Sequence, residues 1–321
     1  MKSFRQLLQK LPSEFIGRLQ AEYEPGKAEK IMSGMMTERP VTLRVNTLKT
    51  DVRTVMKTLQ ADNLKFERVL WYNDALVLKT ARENEIERHP LYQKGHIYLQ
   101  SLSSMIPPLV LDPKPGQRVL DLTAAPGSKS TQLAALMQNQ GFILANEVNA
   151  LRVERLKYNI EKQSATSIEV RHGDGKHLEE TWHQYFDAVL LDAPCSGEGL
   201  FLACDPKTYR FWNPKKVREL ASEQKKLLRT ALWALKPGGC LVYSTCTLAT
   251  TENELVLDWA FSKYASELTA ESIGLTISGS ESGLAIGESG HEHCRKYLRI
   301  YPSQLMEGFF VAKLRKLNLE K

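Results

Sequence analysis

Two cysteines stand where strands of this 321-residue chain should end, Cys195 in Asp192-Ala193-Pro194-Cys195 and Cys246 in Ser244-Thr245-Cys246. An open α/β sheet gathers its reactive groups just beyond the carboxyl ends of its strands, so thiols at two such ends would face one crevice. Two convergent thiols there suit covalent, nucleophilic chemistry. Upstream lies a turn of small residues, Asp121-Leu122-Thr123-Ala124-Ala125-Pro126-Gly127-Ser128-Lys129-Ser130, which follows a strand and opens a helix. Small residues at Ala124, Ala125 and Gly127 let the backbone approach a ligand, and Pro126 fixes the turn. It is neither a GxGxxG nor a GK[ST] phosphate loop, so the ligand carries less phosphate than a dinucleotide or a nucleoside triphosphate. Glu147 falls at the end of the second strand, 20 residues after Gly127, about where an acid grips ribose hydroxyls. Asp174, ending the third strand in His172-Gly173-Asp174, is placed to accept from an adenine amine. Adenosine, ribose and no pyrophosphate together describe S-adenosylmethionine. Either acid alone could simply cap the helix that follows it; three aligned strand ends favour the ligand.

The scaffold these groups need is visible in the hydrophobic pattern. From Arg118 onward, apolar runs at Val119–Leu122, Phe142–Asn146, Ile168–Val170, Ala188–Leu191 and Leu241–Ser244 alternate with helical spacing over Ser128–Met137, Leu151–Gln163 and Lys215–Leu235. Short β-rich runs separated by helices imply a parallel sheet with right-handed crossovers. Tyr297–Tyr301 and Phe309–Leu314 are joined by a short loop and predict an antiparallel hairpin at the sheet's edge. Between them and the last helix, ten of the twenty residues over Glu271–Gly290 are Gly or Ser, which predicts a surface loop rather than core. The first hundred residues read as a separate α+β unit: a helical start over Ser3–Met35, strands at Val41–Asn46, Phe66–Leu70 and Ala75–Leu78, and a helix over Val52–Leu59. A polar stretch, Ala81–Lys94, leads to Gly95-His96-Ile97-Tyr98-Leu99-Gln100 and an apolar helix that should stop before Pro107-Pro108. The boundary is placed near residue 95, giving units 1–95 and 96–321.

Composition is that of a soluble globular protein, 42% hydrophobic and 25% charged, which sets aside disordered and fibrous classes. No apolar run reaches the ~18 residues of a membrane span, and the amino terminus lacks the apolar core of a secretory signal. Location in the cytoplasm, no membrane partner and a monomer are expected. The five cysteines, at 195, 204, 240, 246 and 294, form no CxxC pair, which argues for free thiols and against a disulfide framework or a metal site. Of the net charge of +6, residues 1–100 hold +5, with 17 Lys and Arg against 12 Asp and Glu. A second concentration runs from Lys207 to Arg229, where eight cations face Glu219 and Glu223. Both stretches could meet phosphates, or could be solvated helix faces.

The ordered set Asp121 to Ser130, then Asp192-Ala193-Pro194-Cys195-Ser196-Gly197, then Tyr243-Ser244-Thr245-Cys246-Thr247 resembles the RNA cytosine-5 methyltransferases of the Fmu/Sun type, with their RsmB and RsmF branches. The resemblance extends to Arg44-Val45-Asn46-Thr47-Leu48-Lys49, to Gln100–Pro107, and to Arg299-Ile300-Tyr301-Pro302 with Gly308-Phe309-Phe310. Thr123 departs from the family's usual Cys or Met, and Ser130 from its usual Thr. The resemblance implies a Rossmann-like class I methyltransferase sheet, a small RNA-binding amino-terminal domain, S-adenosylmethionine as cofactor with Ala124 to Ser130, Glu147, Asp174 and Asp192 as its site, and RNA as partner, ribosomal before transfer RNA. The sequence ends just after the catalytic sheet, so the carboxyl-terminal extension of longer RsmF-like enzymes is expected to be absent.

It also implies unequal thiols. C5 of cytosine is too weak a nucleophile to take a methyl group directly from a sulfonium, but a thiolate added at C6 makes C5 enamine-like. By resemblance Cys246 is that nucleophile and Cys195 assists release once the C5 proton is removed; Asp192 would stabilise the base protonated at N3, and Lys129 would favour the thiolate. Cys204, Cys240 and Cys294 read as inert buried thiols. A DNA cytosine-5 methyltransferase would use its Pro-Cys thiol as nucleophile, so Thr245-Cys246 and the basic first unit favour RNA. The target base must leave any stack; the basic stretches would hold phosphates, and Tyr209, Phe211 and Trp212 would either stack on bases or pack in the core. The competing readings are a non-catalytic RNA-binding assembly factor, which needs neither thiol, and a methyltransferase for protein or small molecules, which leaves the basic first unit unexplained.

Overall fold

In the computed structural model, which describes residues 10–286 and 290–318, the first described elements are α1 (Ser13–Glu22) and α2 (Pro25–Gly34). These two helices replace the single helical start expected over Ser3–Met35, whose first residues lie outside the described ones. Pro25 makes the break: it sits at the first position of α2, where its missing N–H has no partner to lose. Four antiparallel strands follow, β1 (Thr42–Val45), β2 (Phe66–Arg68), β3 (Ala75–Leu78) and β4 (Ile97–Leu99), in the order β2-β3-β1-β4. Helix α3 (Val52–Ala61) starts at Asp51, whose carboxylate accepts from the Arg53 and Thr54 amides. The polar stretch before β4 folds into short helices α4 (Glu83–Arg88) and α5 (Pro90–Gln93). Strand β4 lies beyond residue 95 yet pairs with β1, because Ile97 completes the small core of Leu43, Val45, Leu76 and Leu78.

Helix α6 (Leu102–Leu111) runs through Pro107 and Pro108 instead of stopping before them. Eight of its ten residues are buried, so tertiary packing outweighs the two lost backbone donors. The main sheet comprises β5 (Arg118–Asp121), β6 (Phe142–Glu147), β7 (Ile168–His172), β8 (Phe186–Asp192), β9 (Leu235–Thr245), β10 (Leu268–Glu271), β11 (Ser280–Glu281), β12 (Leu298–Ile300) and β13 (Phe309–Lys316). Its order is β11-β12-β13-β9-β8-β5-β6-β7, with β10 on β13 off that path. Strands β7, β6, β5, β8 and β9 are parallel, and β13 and β12 form the expected antiparallel closing hairpin. The Gly- and Ser-rich stretch is less open than expected: Ile277 is buried in the core and β11 pairs with β12. Helices α7 (Ser128–Leu136), α8 (Ala150–Gln163), α9 (Pro214–Ala234) and α10 (Glu254–Lys263) cover the sheet. The chain runs outward from β5 to β7, then returns across to β8, so strand order reverses between β5 and β8, where a doubly wound sheet opens its crevice.

Two buried polar residues dock the small sheet on this body. Arg44 donates to Gln100 Oε1 at 3.0 Å and Thr131 Oγ1 at 2.9 Å, and Asn46 donates to the Gly95 and Gln163 carbonyls at 2.9 and 2.8 Å.

Candidate active site

Strands β8 and β9 pair with Asp192 opposite Ser244, so the segments leaving their carboxyl ends emerge side by side. The Ala193 amide donates to the Ser244 carbonyl at 2.8 Å, and the Ser244 hydroxyl to Asp192 Oδ1 at 2.7 Å. Beyond this join Cys195 Sγ and Cys246 Sγ lie 3.2 Å apart, both thiols free and half-buried. The Cys195 thiol is pushed well above its ordinary range by its hydrogen bond to Cys246, then by burial and by the charges of Cys246 and Glu252. It therefore holds its proton tightly.

Lys129, in the first turn of α7, is buried with Nζ 2.7 Å from Asp192 Oδ2 and 2.9 Å from Ser104 Oγ on α6. Burial alone would lower its pKa, but Asp192, with help from Asp121 and Cys246, raises it, so Lys129 stays a cation. Asp121, ending β5, is pushed up to about 6 by burial even though Ser130 donates to its Oδ2 at 2.7 Å and Lys129 is near.

From the thiols a cavity of about 250 Å³ extends over the ends of β5 and β6, and Ala125, Glu147, Asp174, Asp192, Cys195 and Cys246 line it. Glu147 and Asp174 also do the local work of helix and turn starts. Glu147 accepts from the Asn149 amide at 2.9 Å and lies 3.3 Å from Arg152, and Asp174 accepts from the Lys176 amide at 2.9 Å. The other turn residues point elsewhere. Ala124 packs on Ala145 and Leu156, Pro126 is exposed, the Ser128 carbonyl accepts from Arg44, and Ser130 holds Asp121. Gly127, at φ +106°, brings α7 onto α8: an added Cβ would lie 2.9 Å from Leu156 Cδ1. Thr123, Asn146 and Arg152 line the cavity without having been read from the sequence.

The residues that hold the thiol loops were also missed. Glu252, fully buried, accepts from the Ser196 amide and Gln224 Nε2 at 2.9 Å each and from the Ser196 hydroxyl. Glu198, equally buried, pairs with Arg18 of α1 and accepts from Trp212 Nε1 at 2.9 Å. Their partners lie 14 to 180 residues away in sequence, so no local pattern marks them.

On the basic stretch, Lys207, Arg210, Lys215, Lys216, Arg218, Lys226 and Arg229 are exposed. Tyr209 and Trp212 pack inward, Trp212 edge-on to Phe15 at 5.7 Å. Phe211 is 76% exposed beneath the Arg210 guanidinium, 4.5 Å from its ring. Cys240 and Cys294 are buried as expected, and burial pushes Cys240 up to about 11; Cys204 is exposed instead. Among the described residues no helix is long and apolar enough to cross a membrane.

Residues 108–315 match the family described as 16S rRNA methyltransferase RsmB/F, and residues 11–84 the ferredoxin-like domain of RsmF/B-like methyltransferases. The ribosomal RNA small subunit methyltransferase F of Cronobacter sakazakii is 40% identical over 288 residues, covering 87% of this chain and 58% of the relative. That of Pectobacterium carotovorum is 36% identical over 312 residues, covering 95% and 63%. The chain thus spans about three fifths of the length of these curated relatives. A solved methyltransferase homolog protein from Pyrococcus horikoshii matches with a TM-score of 0.85 and 34% identity over 98% of both chains. The fold is accordingly a Rossmann-like class I methyltransferase sheet with a small amino-terminal domain.

Proposed function

The chain belongs to the RsmB/F family of 16S rRNA methyltransferases, and from that membership and the paired thiols we propose that it methylates C5 of a cytidine in structured RNA. Ribosomal RNA is favoured over transfer RNA because the curated relatives are named for the small ribosomal subunit. The cytoplasm is the compartment that holds this substrate. The observation that carries the reading is the 3.2 Å approach of Cys195 and Cys246 at the mouth of the cavity.

The cavity's residues fit S-adenosylmethionine: a nearly inaccessible carboxylate at Glu147 for the ribose hydroxyls, Asp174 for the adenine amine, and the backbone at Ala125 with nothing larger than a methyl to block approach. When bound, the cofactor supplies an electrophilic methyl group on a sulfonium. Cys246 as thiolate adds to C6 of the base, forming an S–C6 bond while the ring electrons move toward N3. Asp192, oriented by Ser244 and balanced by Lys129, stabilises the proton at N3. C5 then takes the methyl group. The C5 proton passes to solvent, the C5–H electrons restore the C5–C6 double bond, and the S–C6 bond breaks with its electrons returning to Cys246, whose departing sulfur accepts a hydrogen bond from the protonated Cys195 thiol beside it. The base must be out of its stack to reach both thiols, while the exposed cations of α9 hold flanking phosphates.

The test uses transcribed 16S rRNA and labelled S-adenosylmethionine. Cys246→Ala should abolish transfer, and Cys195→Ala should accumulate a protein–RNA adduct that survives denaturing electrophoresis. Full methylation by Cys246→Ala overturns the reading.

A further inference from the structure

The two thiols are held by different means. Cys246 continues from β9, and its surroundings are fixed without Glu252's carboxylate: the Gly199 amide donates to the Cys246 carbonyl at 2.9 Å, and Asn253 takes the Thr245 hydroxyl at 2.6 Å and donates to the Thr247 carbonyl at 3.0 Å. Cys195 lies in an irregular segment whose two flanks are pinned from outside. Gln224 Nε2 donates to the Pro194 carbonyl at 2.9 Å, and the Glu252 carboxylate takes both the amide and the hydroxyl of Ser196. Gln224 also donates to Glu252, so one carboxylate closes both flanks. The Ser196 hydroxyl lies 2.8 Å from Thr247 Oγ1. The residues that follow the two cysteines are thus joined directly, in line with the thiols.

We propose that Glu252 is a positioning residue for the release step: it holds Cys195 against Cys246 through Ser196, so that the Cys195 thiol meets the Cys246 sulfur as that sulfur leaves C6. This rests on the covalent reading above. Burial raises Glu252 to about 7, against the bonds from Ser196 and Gln224, so the acid is kept in place at a cost that a space-filling residue would avoid. Three donors converge on its two oxygens. An amide offers one acceptor and turns an N–H toward the others, so Glu252→Gln frees Ser196 and lets Cys195 drift, while Cys246 stays on β9.

The experiment compares the full-length wild type, Cys195→Ala, Glu252→Gln and Ser196→Ala with transcribed 16S rRNA and labelled S-adenosylmethionine, scoring denaturant-resistant adduct against released methylated RNA. Glu252→Gln should raise the adduct-to-product ratio at least about tenfold, the change that loss of one charge-assisted hydrogen bond supports. Ser196→Ala, which keeps the buried acid and its bond from the amide of residue 196 but removes the hydroxyl, should move the ratio the same way by less, and it decides alone where Glu252→Gln does not fold. A purely structural role lowers adduct and product together. A wild-type ratio in Ser196→Ala, or parallel loss of both species in Glu252→Gln, overturns the proposal while the covalent reading stands. Absence of adduct in Cys195→Ala sinks that reading and this inference with it.

Discussion

Asp121→Asn should stabilise the protein at neutral pH, by an amount that grows with pH until the folded-state carboxyl has ionised. The carboxyl is 1% exposed at the end of β5. Burial, with the like charge of Asp192 adding to it, outweighs the Ser130 hydrogen bond and Lys129, and its pKa rises from an ordinary 3.8 to about 6. In the folded state it therefore keeps a proton that the unfolded chain has released. A carboxyl raised in this way favours the fold below the unfolded pKa and penalises it as pH climbs through the folded one. At 1.36 kcal/mol per unit, the penalty grows from nothing near pH 3.5 to about 3 kcal/mol above pH 6.5. Asparagine has the same shape and no proton to lose. Urea unfolding of wild type and variant at half-unit steps from pH 4 to 7.5 gives the difference directly. Other groups that titrate in both proteins, Glu252 among them, cancel. The difference should rise by about 2.5 kcal/mol in favour of Asp121→Asn across that range. A flat difference refutes the argument, whatever its absolute value, because a misplaced amide costs the same at every pH.

Two further outcomes follow from other buried and exposed charges. Arg299 and Glu254 form an ion pair with side chains 1% and 0% exposed, Nε to Oε1 2.6 Å; Glu254→Gln should cost about 3–5 kcal/mol in urea unfolding, and replacing both by Met and Leu should recover part of it. A neutral Glu254→Gln would mean the pair is not carrying opposed charge. On α9, Lys216→Ala with Arg218→Ala should weaken binding of single-stranded RNA and flatten the plot of log affinity against log salt by about 0.7 for each phosphate no longer neutralised. An unchanged slope would remove this helix from the RNA path.

The thiols, Asp192 and the two cavity acids were legible because each depends on a short-range pattern: an apolar run of strand length, its end, and a reactive side chain there. Their convergence followed from topology, since neighbouring parallel strands put their ends together. What the sequence could not show was which turn residues face the ligand. Ala124 and Ala125 are adjacent and alike and share one apolar cluster with Leu156, yet Ala125 lines the cavity and Ala124 does not. The helix through Pro107 and Pro108 defeated a local rule because burial of a nearly all-apolar segment outweighed it. The aromatic trio was undecidable for the same reason: Tyr209 and Trp212 fill a core to which α1 contributes Phe15 and Leu19, and only Phe211 is left outside.

That core bears on where the first domain ends. A boundary at residue 95 groups α1 with the small antiparallel sheet, but their hydrogen bonds divide them. The sheet docks through Arg44 and Asn46 behind α7 and α8. Helix α1 instead reaches both cysteine loops: Arg18 pairs with Glu198, three residues beyond Cys195, and Glu22 accepts from Thr250, four beyond Cys246, at 3.1 Å. Just after the helix, the Tyr23 hydroxyl accepts from Arg299 at 3.0 Å, which in turn holds Glu254 and the Leu248 carbonyl. Every one of these bonds ends on a segment that leaves β8 or β9, or on a residue holding one. Removing α1 would strip partners from the buried Glu198 carboxylate and the Thr250 hydroxyl as well as from an apolar core, so its loss should be felt at the thiols before it is felt in the small sheet. Helix α1 braces the two loops that carry the thiols, and the small sheet docks apart from them.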